Sequence, residues 1–433
     1  MIPQHAWDLE NQLPPGSHRS GRALTMGQAL DLIADRSRIY VTPLMGPPTA
    51  VLAAMAKDPD RWTEIETASD YLAEPLPTFN HPNKPFRHLS VQPSRALASV
   101  AEAGALGTVS ACSSQFGSLF DPDGPLAVDI AIVQVSLPGP DGRFSLGTNG
   151  GATAELVRSA PMVIAEVNPS MPYTRGATEC LRSDFDGLVE VDTHPLVEIS
   201  VPAAEEITNR IGSHVGSLVV DGATIEYGIG AIPDAALAAL AGHRNLGLHS
   251  GMLGEAVIDL VDQGVMTGSA KSVDAGLLVT SALVGTTRVA AWADGRDDIV
   301  VVASNYSHGV PVLARQDRFT AINSAVEVAF DGSVNAEVAG GRVVSGPGGQ
   351  PDFAAGAALA SGGRNIVALP ATARRGTLSR IVPSIPTEHR VTVPHYLADR
   401  VVTELGPAEL RGANEVQRAQ RLRAVADPDL LAE

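Results

Sequence analysis

Two short segments of the chain carry residues fit for acyl chemistry. In Gly228-Ile229-Gly230-Ala231-Ile232-Pro233-Asp234, two glycines follow an apolar strand-like run and lead into the alanine-rich stretch 234–240. The proline near the first turn fits the helix that this stretch predicts. Glycines at such a junction let the backbone approach a ligand closely, and amides at a helix start stabilise negative charge. A thioester carbonyl becomes an oxyanion when attacked, and one donor fixed at that oxygen lowers the barrier by roughly 3 to 4 kcal/mol in a characterised protease. The second segment, Leu246-Gly247-Leu248-His249-Ser250-Gly251-Met252, carries an imidazole, and the carboxylate of Glu255 follows it. Those two groups offer a general base or a nucleophile. Alone, a Gly-x-Gly loop is more often an ordinary tight turn, and a histidine in an apolar run more often packs or orients.

The elements that must position these residues follow from periodicity. Short apolar runs ending in Gly- or Pro-rich loops read as strands at 38–42, 129–135, 161–167, 225–227, 288–292, 298–303 and 365–369. Between them, alanine-rich segments such as 49–57 and 93–103 have helical spacing, so strands and helices alternate. That order predicts an α/β protein with parallel sheets and crossover helices. The segment 199–213, with Val201-Pro202-Ala203-Ala204-Glu205-Glu206 at its centre, marks the boundary between two similar open α/β domains, 1–205 and 206–433. The C-terminal stretch 417–431, with Arg418, Arg421 and Arg423, reads as a terminal helix.

Length and composition agree. A chain of 433 residues exceeds one ordinary core and suits two domains. Only 4% of residues are aromatic, while 42 glycines and 31 prolines imply many short loops. The net charge of -17 argues against a nucleic-acid surface, which needs a basic patch. An anionic ligand is still accessible to a few local cations such as Arg374-Arg375 and to helix N-termini. No apolar run approaches the roughly 20 residues that span a bilayer, so no membrane segment is expected. The start, Met1 to Glu10, shows neither a basic region nor an apolar core, and no leader is expected. Two distant cysteines, Cys112 and Cys180, suggest neither a disulfide framework nor a metal site and fit a reducing cytoplasm.

The two segments together resemble the acetyl-CoA hydrolase and 4-hydroxybutyrate CoA-transferase family, of the family I CoA-transferase fold. Ser345-Gly346-Pro347-Gly348-Gly349-Gln350-Pro351-Asp352-Phe353 is similar to its Gly-Gly-Gln-x-Asp-Phe motif, and Ala321-Ile322-Asn323-Ser324-Ala325 to its Ala-Ile-Asn-Ser-Ala segment. Ser379 to Pro383, Val401 to Gly406, Leu410 to Gly412, Gln134 to Ser136, Ser145 to Gly147 and Ala165 to Asn168 extend the resemblance over nearly the whole chain. It implies two α/β domains with the active site in the cleft between them, most of the coenzyme A site coming from the second. Gly228, Ile229, Gly230, Ala231 and Ile232 would line the thioester end. Asn323, Ser345, Gly346, Gly349, Arg374 and Arg375 correspond to positions that contact coenzyme A. Acyl-CoA and a small carboxylic acid are the implied partners, with a homodimer as the assembly and no metal.

In one respect the chain departs from the family, whose second segment reads Leu-Gly-Ile-His-Thr-Glu-Met. There the glutamate is the nucleophile, forming an acyl-glutamyl anhydride and then a glutamyl-CoA thioester. Here its place is taken by Gly251, which cannot attack. Hydrolysis is therefore expected, of the thioester or by retro-Claisen cleavage of a β-oxo acyl-CoA, with Glu255 or His249 as base. One alternative is a CoA-transferase with its nucleophile relocated to Glu255, which shares a face with Gly251 about 5–6 Å away if 252–261 is helical. Another is an inactive CoA-ester-binding partner. The bland roles are a structural carboxylate near a helix start for Glu255 and ring packing for His249.

Overall fold

A computed structural model describes residues 19–80 and 85–431; the leaderless reading of Met1 to Glu10 falls outside them. The chain forms two compact units, one from residues up to Ser200 with Val279–Ser307, the other from Val201–Leu278 with the residues from His308 onward. The return of 279–307 to the first unit differs from the single cut expected after residue 205.

The first unit is built on an eight-stranded sheet of β1 (Arg22–Ala23), β2 (Arg38–Val41), β3 (Ile65–Ser69), β4 (Phe86–Ser90), β5 (Leu106–Thr108), β6 (Ile130–Val135), β7 (Met162–Val167) and β8 (Gly187–Glu190). Their order is β1-β8-β7-β6-β2-β3-β4-β5, and every pairing is parallel. Side chains alternate between faces. Ile130 and Ile132 of β6 join one core with Ile39, Val41 and Ile164, whereas Ala131, Val133 and Val135 join the other with Tyr40 and Val163. Both faces are thus covered, which is why these strands read as continuous apolar runs. Helix α1 (Thr49–Lys57) buries Val51, Leu52, Met55 and Ala56, one stripe of a 3.6-residue period. The strand Ile299–Val301 pairs in parallel with Arg175–Gly176 within this unit.

The stretch Arg288 to Trp292, expected as a strand, is helical, within Thr287–Ala293. The side chain of Thr286 accepts from the amide of Arg288 and caps it, and that cap, together with Ala290 and Ala291, outweighs the β preference of a single valine.

In the second unit, β9 (Thr224–Tyr227), β10 (Gly247–Ser250), β11 (Phe319–Ser324), β12 (Arg364–Ala368), β13 (Arg400–Thr403) and β14 (Gly406–Glu409) lie in the order β14-β13-β12-β11-β9-β10. All pair in parallel except the closing β13–β14 hairpin. Helix α2 (Glu206–Gly216) packs on α3 (Ala231–Ala238) through two glycines. A Cβ on Gly212 would come within 2.6 Å of the Ala235 carbonyl oxygen, and one on Gly216 within 2.9 Å of the Ala239 Cβ. Helices α4 (Glu255–Asp262), α5 (Val310–Leu313), α6 (Gln350–Leu359) and α7 (Glu415–Arg423) complete the parts used below. The unit is thus α/β like the first, and no helix among the described residues is long and apolar enough to cross a membrane.

Candidate active site

The site residues gather where parallel strands of the second unit end. β9 is buried throughout and runs into Gly228, whose amide donates to the Ile322 carbonyl at 3.0 Å. A Cβ on Gly228 would stand 2.7 Å from Oδ1 of Asn323, so this glycine answers a side chain on the neighbouring strand. The Asn323 amide in turn donates to Glu226 at 2.8 Å. Burial holds the Glu226 carboxyl well above the ordinary carboxylate range, against the opposing effect of that hydrogen bond. Gly230, with φ of 137°, caps α3, a backbone region open to little but glycine. Ile229 between them is exposed. Ala231 and Ile232 open the helix, where first-turn amides have no intrahelical acceptor; Pro233 has no amide to give.

β10 leads to Gly251 through two residues fixed in the interior. His249 is fully buried, with Nδ1 3.3 Å from the side-chain nitrogen of Gln316. That glutamine also exchanges hydrogen bonds with both backbone groups of Val273. His249 is therefore built into the wall, as a packing and orienting residue would be. The buried ammonium of Lys271 donates to the carbonyls of Leu248 and Leu277 at 2.9 and 2.8 Å, and desolvation lowers its pKa to about 7.

Gly251 itself faces an imidazole. A Cβ there would lie 2.7 Å from Nε2 and 3.1 Å from Cε1 of His308, and 3.6 Å from the Phe353 ring. Gly349 approaches the same ring from another element: its Cβ would meet His308 Cδ2 and Phe353 Cε2 both at 2.6 Å. His308 is only 5% exposed and lies tilted against Phe353, with ring centroids 4.7 Å apart at 39°. Sequence reasoning missed His308. It stands in Ser307-His308-Gly309, outside every recognised segment, and no spacing rule links it to Gly251.

Glu255 is the first residue of α4, after the cap Gly254, whose amide donates to the Tyr227 hydroxyl at 2.7 Å. The helix thus starts at 255 instead of 252, and the helical spacing expected between positions 251 and 255 does not exist. Glu255 is half-buried near Asp234 in the first turn of α3. Burial first, and the Glu255 charge second, raise the Asp234 carboxyl to about 6. Two carboxylates thus gather at two helix N-termini, where the helix dipoles favour them.

The loop 345–349 leaves the hairpin of Val338–Ala339 and Arg342–Val343 and is anchored by amides of Val344 and Ser345 on the Glu337 carbonyl, at 2.7 and 3.3 Å. Gly346 is buried and Ser345 half-buried. Gly349 caps α6, and Asp352 sits in that helix's first turn, where a carboxylate suits the helix dipole. Arg374 and Arg375 form an exposed hairpin tip, both left-handed, with φ of 49° and 58°. The Arg374 guanidinium reaches 3.3 Å from where a Cβ on Gly340 would be, which places it beside the hairpin that feeds the 345–349 loop. The structure therefore joins Gly228 to Asn323, Gly251 to Gly349 through His308, and Arg374 to the loop's base. Glu255 it sets beside Asp234.

Comparison with known proteins identifies the surroundings of this site. Residues 25–199 match the acetyl-CoA hydrolase/transferase N-terminal domain, and residues 285–433 the C-terminal domain of the same family. The 4-hydroxybutyrate coenzyme A transferase of Clostridium kluyveri is 34% identical over 414 residues, covering 94% of this chain and 95% of that protein. The crystal structure of RipA from Yersinia pestis superposes with a TM-score of 0.86 at 28% identity, covering 94% of both chains. That of a 4-hydroxybutyrate CoA-transferase from Porphyromonas gingivalis does so with 0.78 at 30%, over 94% of this chain and 95% of the other. The chain belongs to the acetyl-CoA hydrolase/transferase family and is an enzyme of the CoA-transferase fold.

Proposed function

We propose that this enzyme hydrolyses an acyl-CoA thioester to the free acid and coenzyme A. The observation that carries the reading is the state of position 251: it has no side chain, and the space ahead of it is filled by the His308 ring. Anhydride chemistry needs a carboxylate there. Glu255 does not supply it, because its helix starts beyond the motif and its charge bears on Asp234. The glycine junction keeps its use, since amides at the start of α3 suit an oxyanion whether water or a carboxylate attacks. Ser345, Gly346 and Gly349 would flank the pantetheine arm, with Arg374 and Arg375 taking phosphate charge.

A panel of acyl-CoAs, run with and without acceptor carboxylates, tests this. Free coenzyme A should appear at a rate independent of acceptor, and neither borohydride nor hydroxylamine should trap a protein adduct during turnover. An adduct on Glu255 with acceptor-dependent exchange would establish transfer instead. Tight binding of the whole panel without turnover would mark an inactive binding protein. A β-oxo acyl-CoA belongs in the panel because carbon–carbon cleavage would yield a shorter acyl-CoA in place of free coenzyme A.

A further inference from the structure

Water is a poor nucleophile near neutral pH, and its hydrolytic attack needs a group to take its proton. His249 is walled in on Gln316, and Glu255 sits with a second carboxylate. We propose that His308 is the general base of the reaction, its imidazole standing in the space where the family's nucleophilic side chain would project. This rests on the hydrolytic reading above.

Three observations point to it. First, Gly251 and Gly349 both lack a left-handed φ, so neither backbone calls for glycine. What both positions share is the ring of His308, within 2.8 Å of either hypothetical Cβ. Two glycines from different elements thus make one slot for one imidazole. Second, Phe353 closes the slot from the side, and a ring held in this way keeps one orientation, as a base requires. Third, the slot opens at the right place. β9 and β10 are parallel neighbours with Thr224 level with Gly247 and Ile225 with Leu248. Near the strand ends the Ser250 hydroxyl still meets the backbone of Tyr227, at 3.4 Å, so Gly228 and Gly251 each follow a residue of a contacting pair. The imidazole and the oxyanion donors therefore occupy adjacent carboxyl ends of one parallel sheet, where α/β folds bind ligands.

The step balances without any further reagent. Nε2 of His308 takes a proton from water as its oxygen bonds to the thioester carbonyl carbon. The resulting oxyanion is met by amides of the Ile229–Ile232 stretch, the Gly228 amide being engaged with the Ile322 carbonyl. Collapse breaks the carbon–sulfur bond, and the departing thiolate takes the proton back from the imidazolium, leaving a carboxylic acid, coenzyme A thiol and the starting imidazole.

The test is His308→Gln, with kcat, KM and the pH profile measured on the full chain. A general base contributes about 10²-fold or more, so kcat should fall by at least that while KM for the acyl-CoA holds. The wild-type profile should lose activity on the acid side as an imidazole protonates. That limb should vanish in His308→Gln. Other titratable groups around the site are Tyr306 before His308, His249 and Glu255 flanking Gly251, Glu226 and Asp234 beside the glycine junction, Lys271 against Leu248, and Asp352 on α6; α5 carries none. The limb should therefore persist in Asp234→Asn, Lys271→Met, Glu255→Gln, Asp352→Asn and His249→Gln, whatever their rates. His308→Asn, which also removes the titrating ring, provides the same readout should His308→Gln fail to fold. Hydrolysis in His308→Gln at the wild-type rate with its acid limb intact would overturn the assignment and leave the hydrolytic reading standing. No acceptor-independent release of coenzyme A by the wild type would remove both.

Discussion

At the scale of single residues, position 251 has no side chain and the His308 ring stands against it. Adding a methyl group there is a direct probe. Gly251→Ala would set a Cβ 2.7 Å from the His308 ring, which Phe353 and Gly349 hold from other sides. Overpacking of this kind typically costs about 1–3 kcal/mol, so its urea midpoint should drop measurably. An unchanged midpoint would mean that the ring swings aside freely. Glu226 makes a second prediction. Its raised carboxyl pKa means that the folded state holds a proton that the unfolded chain releases once pH passes about 4.5. Stability from this group is therefore complete below that value and declines as pH rises. Glu226→Gln, which keeps a partner for Asn323, should flatten the decline and cost little at neutral pH; a steeper decline would contradict a protonated Glu226. Gly251 was legible as an anomaly because it interrupts a contiguous motif. His308 was not, since its meaning lies wholly in contacts with residues distant in sequence.

At the scale of elements, the N-terminal turns of α3 and α4 form a shared acidic corner. Asp234, raised to about 6 by burial and by Glu255, favours the folded state when protonated, so its contribution is present below the ordinary carboxylate value and lost as pH rises through about 6. Glu255→Gln should lower the Asp234 pKa, seen directly by carboxyl NMR, and should raise stability more at pH 8 than at pH 5. An Asp234 pKa that does not move would separate the two groups. The first unit has a matching device of opposite charge type. His194 Nε2 lies 2.8 Å from the fully buried Glu166, whose other oxygen accepts from the Val51 amide at 2.8 Å. The hydrogen bond to Glu166 raises the His194 pKa. That pair stabilises fully below the ordinary histidine value and less as pH climbs above the raised one. Removal in His194→Gln should therefore cost more stability at pH 6 than at pH 9. Most strands were legible as apolar runs because the sheets are covered on both faces. The segment 288–292 was not, because a valine among alanines gives no period and its fate is set by the Thr286 cap.

At the scale of the molecule, a net charge of -17 repels an anionic substrate while Arg374 and Arg375 would attract it locally. Salt screens both beyond a Debye length of about 10 Å at 0.1 M. With both arginines changed to alanine that local attraction is lost and the net repulsion grows. KM for an acyl-CoA should then be higher than in the wild type at low salt and should fall as salt is added. A wild-type-like KM in that double variant would remove the hairpin from the binding site. Two α/β units were legible from length and from the alternation of strands and helices. The return of residues 279–307 to the first unit was not, because it depends on strand pairing far along the chain and leaves no mark in composition.

The slot shared by Gly251, His308 and Gly349 also restricts descent. A glutamate regained at position 251 would meet a ring already in place, and a glutamate lineage would meet the same conflict on acquiring the histidine first. With the ring held in place, passage between the proposed hydrolysis and transfer runs through a chain that has neither the carboxylate nor the imidazole there. On the proposed reading such an intermediate lacks both a nucleophile and a base at this position and would serve either reaction poorly. Relatives should accordingly fall into two groups at this pair of positions, with few mixtures between them.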